Sequence, residues 1–236
     1  MANAPRPTWP IDDDIRKRVQ DMSLQEKVGQ MLQQDIGTIF LGGDNMALNQ
    51  TQLDILVEKY YVGSFLNSPT SLGSIGNTVN FSPAQWIAMI TQIQNTSISK
   101  GNQIPMIYGL DSVHGANYIQ GATIFPHQIM AAATFNRTLV QQMGAITAKD
   151  TRAVGIPWTF SPILGIATQP LWARVYETFG EDPYLASQMG IAVIQGYQVC
   201  GRGSVCRYRL GLARWANLRL ASSNLCPCLH IVFQRL

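Results

Sequence analysis

The sequence predicts an α/β protein that forms part of a (β/α)8, TIM-type barrel. Two short apolar runs, residues 104–110 and 156–160, each lead into a loop rich in polar side chains. Such runs are typical of buried parallel strands. Helical patterns alternate with strand-like runs from residue 50 onward, which favours βα units and a parallel sheet. Three or four units fit before residue 198, whereas a closed barrel takes about 250 residues, so a partial barrel is expected.

Local start signals predict where the helices begin. Ser23 and Glu26 have the spacing of a capping box, after which Val28, Met31 and Leu32 recur at helical spacing. A capping residue is followed by proline at Ser82-Pro83 and at Asp182-Pro183, and Asn136 can cap a further helix. Acidic residues that can cap a helix precede a helical pattern at residues 15–22. Apolar spacing predicts a second helix at 50–60, and a short apolar run predicts a buried strand at 62–66.

Charge and cysteine are distributed unevenly along the chain. The formal net charge is +3, but all 14 acidic residues lie within residues 1–198. Residues 199–236 contain arginine, no acidic residue and all four cysteines. We therefore expect a domain over residues 1–198 and an irregular basic tail over residues 199–236, disordered or read in a shifted frame. The spacing of Cys226, Cys228 and His230 matches no common zinc pattern, so no metal site is expected.

Several classes of protein are disfavoured by what the sequence lacks. It has no run of the roughly 18 apolar residues that a membrane span needs, and no apolar leader segment at its start. It has no P-loop, no G-x-G-x-x-G and no G-x-S-x-G motif, so neither a nucleotide cofactor nor a serine nucleophile is predicted. The tail does not have the composition of a nucleic-acid-binding arm. Four N-glycosylation triplets, at Asn49, Asn80, Asn95 and Asn136, hint at a secreted origin but leave the compartment open.

Polar residues after the two apolar runs are the candidate site. Asp111 follows the first run, and its carboxylate can accept hydrogen bonds from adjacent sugar hydroxyls or cap its own loop. Arg174 lies among Trp172, Tyr176 and Phe179, a combination that suits a flat, polyhydroxylated ligand. The alternative for this arginine is an internal ion pair with Glu177, three residues away.

The two histidines before the tail are His114 and His127. Either side chain could serve as a general acid or base, or could be a buried structural residue with satisfied hydrogen bonds. We favour the structural interpretation for both.

Four motifs in order resemble glycoside hydrolase family 3, which contains β-glucosidases and exo-β-glucanases. They are Leu-Gln-Glu-Lys-Val-Gly-Gln-Met at 24–31, Gly-Leu-Asp-Ser-Val-His-Gly at 109–115, Gly-Ala-Thr-Ile-Phe-Pro-His at 121–127 and Trp-Ala-Arg-Val-Tyr-Glu-Thr-Phe-Gly-Glu-Asp-Pro at 172–183. The resemblance implies a (β/α)8-type domain and a retaining hydrolysis of β-glucosides. By motif, Asp111 and Arg174 match residues that bind the sugar, and Glu177 supports the arginine loop.

The chain also departs from this family. It has Leu171-Trp-Ala-Arg174 where the family usually has Arg-Trp-Gly-Arg, and the later Lys-His pair is absent. The Ser-Asp-Trp segment that carries the nucleophile is absent too, as is the acid/base glutamate. We therefore expect the N-terminal part of such an enzyme, secreted in the parent family, without catalytic residues and inactive by itself. The alternative is a non-catalytic carbohydrate-binding fragment or a pseudogene product; in either case the ligand is a β-glucoside or β-glucan oligosaccharide.

Overall fold

The structure is a computed structural model that describes residues 13–42, 47–69 and 81–198. Within these ranges one or two α-helices lie between successive strands, and two short 3-10 turns lie at Ile36–Thr38 and Val175–Glu177. The elements in chain order are α1 (Asp13–Asp21), α2 (Leu24–Gln30), β1 (Gln33–Asp35), α3 (Gln50–Glu58), β2 (Ser64–Leu66), α4 (Pro83–Lys100), β3 (Ile107–Leu110), α5 (Gln128–Ala133), α6 (Arg137–Ala153), β4 (Trp158–Thr159) and α7 (Pro183–Tyr197).

The four strands form one parallel sheet in the order β1-β2-β3-β4. Because a helical connection leads from each of the first three strands to its parallel neighbour, the sheet is the open beginning of a (β/α) barrel. The register aligns Leu66 with Gly109 and Gly109 with Trp158. Side chains alternate between the faces of a strand, so these aligned residues share one face. The predicted α/β class and partial barrel are confirmed.

The helix start signals are confirmed by side-chain hydrogen bonds. Ser23 accepts from the backbone N–H of Glu26 and the Glu26 carboxylate accepts from the backbone N–H of Ser23, which completes the capping box. Ser82 forms the same arrangement with Gln85 at the start of α4. The carboxylate of Asp182 accepts from two backbone N–H groups at the start of α7. These bonds satisfy donors that a helix terminus otherwise leaves unpaired.

Two elements differ from the sequence prediction at the start of the sheet and after β3. The helical pattern after Ser23 ends at Gln30, so Met31 and Leu32 lie outside α2 and are exposed. The polar strand β1 follows instead, and its pairing with β2 determines its conformation. Helix α5 was also not predicted, because it has six residues and no side-chain cap at His127.

Two hydrophobic clusters form the core: one packs helices against the sheet, and the other packs helices against one another. The first packs β2 and β3 against α3 and α4, with Phe65, Trp86 and Tyr108 almost completely buried. The indole N–H of Trp86 donates to the carbonyl oxygen of Tyr118 at 3.1 Å, which satisfies the polar atom of this buried ring. The second cluster joins α5, α6 and α7 around Met143 and other residues.

Some predictions fall outside the described residues. The basic tail at 199–236 and the triplet at Asn80 lie there, so the domain boundary at residue 198 stays a prediction. Across ranges 13–42, 47–69 and 81–198, no helix has the length and hydrophobicity that crossing a bilayer requires. The same ranges contain no group of three potential metal-binding side chains.

Candidate functional site

A cavity of about 680 Å³ lies beside the strands, where the loops after β3 and β4 meet. Active sites of parallel α/β proteins occupy this carboxyl edge because consecutive loops converge there. Both motif residues predicted to bind a ligand, Asp111 and Arg174, line it together with Glu177. The remaining lining residues are Gln33, Leu66, Val113, His114, Asn117, Tyr118, His127, Trp158, Phe160, Pro162, Ile163, Leu164, Gly165, Trp172 and Tyr176.

Asp111 is positioned by the end of β3. The next residue, Ser112, is fully buried; its backbone N–H donates to the Thr159 hydroxyl and its own hydroxyl accepts from Thr151. The loop is therefore anchored to β4 and α6. The Asp111 carboxylate is partly buried, and within the described residues it has no hydrogen-bond partner. Burial raises its pKa, and nearby Arg174 partly offsets this effect.

Arg174 and Glu177 form an ion pair inside the cavity wall. The Nε–H of Arg174 donates to Oε2 of Glu177 at 2.7 Å, and Nη2 contacts the same oxygen. This hydrogen bond raises the pKa of Arg174. The arginine side chain is nevertheless 38% exposed, and the pair leaves the Nη1 donors unused. The internal pair and the exposure to the cavity therefore coexist, and the two interpretations of Arg174 do not exclude each other.

The rings of the two histidines lie against each other, tilted by 41°, at one wall of the cavity. The ring of His114 lies 4.1 Å from that of His127, measured between centroids, and His127 lies 4.6 Å from Tyr176. The Nδ1–H of His114 donates to the carbonyl oxygen of Phe125 at 2.9 Å. Burial, reinforced by neighbouring His114, lowers the pKa of His127. The His127 ring in turn contacts Tyr176, which directly precedes Glu177.

Aromatic residues that the sequence analysis did not single out form much of the cavity wall. Trp158 lies on the sheet itself, and its ring packs edge-on against Phe160 at a centroid distance of 4.8 Å. The ring of Phe160 covers Gly109 so closely that a side chain there would overlap it. Tyr118 lies in the loop after β3, and burial raises its pKa. The position of Trp158 after an apolar strand start was the signal that could have identified it.

Three buried polar atoms at the cavity have no hydrogen-bond partner among the described residues. They are Asn117 Oδ1, His127 Nδ1 and Trp158 Nε1. An unpaired buried polar atom costs about 1–3 kcal/mol. A ligand rich in hydroxyl groups would satisfy such atoms, since each hydroxyl both donates and accepts. The arrangement suits a sugar: aromatic faces, one carboxylate that no described residue hydrogen-bonds, and one guanidinium that is 38% exposed.

Comparison with known proteins shows the family to which the chain belongs. The family model described as "Glycosyl hydrolase family 3 N terminal domain" matches residues 23–206. The lysosomal β-glucosidase of Dictyostelium discoideum is 50% identical over 188 residues, which are 79% of this chain and 23% of that protein.

Two solved structures show the same fold. An exo-1,3/1,4-β-glucanase from a Pseudoalteromonas species superposes with a TM-score of 0.64 at 28% identity, covering 80% of this chain and 22% of the other. A mutant β-glucosidase from Listeria innocua in complex with laminaribiose gives a TM-score of 0.58 at 27% identity, covering 79% and 24%. The chain thus spans less than a quarter of the length of these relatives. With its parallel sheet, its ordered motifs and these matches, the chain belongs to glycosyl hydrolase family 3 through the N-terminal domain of that family.

Proposed function

We propose that the cavity binds the terminal glucosyl unit of a β-glucoside or β-glucan oligosaccharide. The activity to which it contributes is then hydrolysis of terminal β-D-glucosyl residues by a retaining mechanism. The observation that carries this proposal is the carboxylate of Asp111, without a hydrogen-bond partner among the described residues, beside Arg174 in one cavity with several aromatic rings. Both relatives named as β-glucosidases support the same substrate class.

Each polar residue has a distinct part in holding the sugar. Asp111 accepts hydrogen bonds from two neighbouring hydroxyls, because a carboxylate offers two oxygens with several lone pairs. Arg174 donates from Nη1 to a sugar oxygen, while Glu177 fixes the plane of the guanidinium. Trp158 and Trp172 supply apolar surface for the sugar ring.

The described residues bind the sugar but do not supply the complete chemistry. A retaining glycosidase needs one carboxylate to attack the anomeric carbon and a second to protonate the leaving oxygen. Among the described residues lining the cavity, the carboxylates are Asp111 and Glu177, and Glu177 is engaged by Arg174. We therefore propose that this chain by itself binds without hydrolysing.

Calorimetric titration with laminaribiose tests the proposal directly. We expect saturable binding to the full chain, and Arg174→Ala should raise Kd about 10- to 100-fold, since a hydrogen bond to a charged group contributes about 1.5–3 kcal/mol. Arg152→Ala, which removes an exposed arginine at the end of α6, is the matched control and should bind as the unchanged chain does. Absence of saturable binding, or equal binding by both variants, would contradict the proposal.

An aryl β-glucoside assay tests the proposal that this chain binds without hydrolysing. Binding without release of the aryl alcohol supports it. Turnover that Asp111→Asn abolishes would show instead that the chain carries its own catalytic groups.

We also propose that the protein acts in a compartment of the secretory pathway. The support is the Dictyostelium discoideum relative, whose name places it in the lysosome. Fractionation of the source cells, with detection by an antibody against the chain, tests this; recovery only in the cytosolic fraction would refute it.

A further inference from the structure

The structure describes three of the four N-glycosylation triplets, and they differ in their surroundings. Asn49 and Asn136 precede helices α3 and α6 and have extended backbone conformations. Asn95 lies in the middle of α4, the helix spanning Pro83–Lys100. An oligosaccharyltransferase must reach both the asparagine amide and the hydroxyl two residues later, so backbone conformation and exposure of that pair decide whether a folded triplet is accessible.

The triplet at Asn136 meets both requirements. Asn136, Arg137 and Thr138 are all exposed. The Oδ1 of Asn136 accepts from the backbone N–H groups of Thr138 and Leu139, at 3.0 and 3.2 Å. This cap occupies the amide oxygen, and no described residue binds the Nδ2 atom or the Thr138 hydroxyl. The two atoms that the transfer reaction needs are therefore free at the surface.

The triplet at Asn95 does not meet them. Asn95 is exposed, but Ser97, two residues later, is only 4% exposed. Its hydroxyl donates to the carbonyl oxygen of Ile104 at 2.7 Å. Ser97 and Asn95 are both helical, so reaching this hydroxyl requires unwinding part of α4. The two triplets thus provide a favourable and an unfavourable case in the same chain.

We propose that Asn136 is an acceptor for N-linked glycosylation. The Nδ2 atom forms a bond to the anomeric carbon of a lipid diphosphate-linked oligosaccharide. The bond from that carbon to the diphosphate breaks, the lipid diphosphate leaves with the electron pair, and the nitrogen loses one proton to solvent. Because the linkage uses Nδ2, Oδ1 keeps its two hydrogen bonds, and the cap of α6 is preserved after modification.

The test is site occupancy in the full chain secreted behind a cleavable leader from yeast. Release of glycans by an amidase in heavy-oxygen water, followed by peptide mass spectrometry, labels each asparagine that carried a glycan. We expect Asn136 to be occupied, and severalfold more than Asn95. An unmodified Asn136, or occupancy at Asn136 no higher than at Asn95, overturns the proposal. The outcome is independent of sugar binding in the cavity and of the natural compartment, because the leader directs the chain to the transferase.

Three variants separate the glycan from the helix cap. Thr138→Val removes the acceptor hydroxyl but keeps the backbone N–H that Asn136 caps, and Asn136→Asp keeps an oxygen acceptor without the amide nitrogen. Both variants should lose the glycan. When made in bacteria, where no glycan is added, both should have the Tm of the unchanged chain. Asn136→Ala should lose both the glycan and the cap, lowering the Tm of the bacterial protein by about 2–4 °C. Retention of the glycan in Thr138→Val would also overturn the assignment.

Discussion

Replacing Gly144 by alanine should destabilise the protein, although alanine is the better helix former. Gly144 lies in α6 where it faces α7, and both helices contribute to the second hydrophobic cluster. An added Cβ would lie 2.5 Å from the carbonyl oxygen of Val193 and 3.2 Å from the backbone nitrogen of Tyr197. Gly196 of α7 makes a similarly close approach to the backbone of α6 at Gln141. Since backbone atoms form these contacts, only a shift of one helix can relieve the overlap.

The magnitude follows from two opposing effects. Alanine in place of glycine gains about 1 kcal/mol of helix propensity. Overpacking costs about 1–3 kcal/mol, and the upper part of that range applies because neighbouring backbone cannot rotate away. A shift of α7 would also loosen the contacts of buried Met143, Met189 and Val193. We expect a net loss of about 1–2 kcal/mol, which lowers Tm by about 2–8 °C in a chain of this size.

Urea and thermal unfolding followed by far-ultraviolet circular dichroism measure this change. Gly190→Ala in α7 is the matched control, because it gains the same propensity while its Cβ meets the end of a flexible side chain, 2.8 Å from Leu164 Cδ2. The control should be near neutral. If Gly144→Ala is as stable as Gly190→Ala, close backbone contact between α6 and α7 does not limit stability and the reasoning is refuted.

Three further substitutions test the cavity and its supports. Gly109→Val should displace the Phe160 ring, lower stability by about 1–3 kcal/mol in urea unfolding and weaken laminaribiose binding; unchanged binding would contradict the placement of that ring. Asp111→Asn should be more stable than the unchanged chain at pH 7, by up to about 1 kcal/mol. Burial raises the pKa of Asp111 in the folded chain above its ordinary 3.8, so the folded form gains the proton first on acidification. The stability advantage of the Asp111→Asn variant should therefore shrink as the pH falls through this raised pKa. A difference in the free energy of unfolding between the two chains that stays constant with pH would refute this. Tyr197→Phe should cost about 1 kcal/mol, since its hydroxyl is within 2.7 Å of the Ser161 hydroxyl in a buried position; a neutral effect in the same unfolding assay would show that this bond contributes nothing.

The positions of the helix starts could be read from the sequence because they depend on contacts within three or four residues. Ser82, Asn136 and Asp182 each cap the helix that was predicted for them. The capping atom and the N–H groups it satisfies are neighbours in the chain, so no distant residue is needed to specify the element.

Strands were harder to predict because pairing, and not local preference, defines them. β1 is polar at Gln33–Asp35 and exists through its register with Ser64–Leu66, so it was missed. The run at 156–160 was identified, yet only Trp158–Thr159 pair as a strand. Hydrogen bonds to another strand decide where an edge strand begins and ends.

For the candidate site, the sequence by itself identified Asp111 and Arg174, through their motifs and their positions after apolar runs, as the residues that we predict to bind a sugar. Only the tertiary structure decided that both line one cavity, that Glu177 holds the arginine, and that Trp158 contributes a wall. The physical reason is that residue type is a local property. A cavity is formed by loops that a parallel sheet brings together from distant parts of the chain.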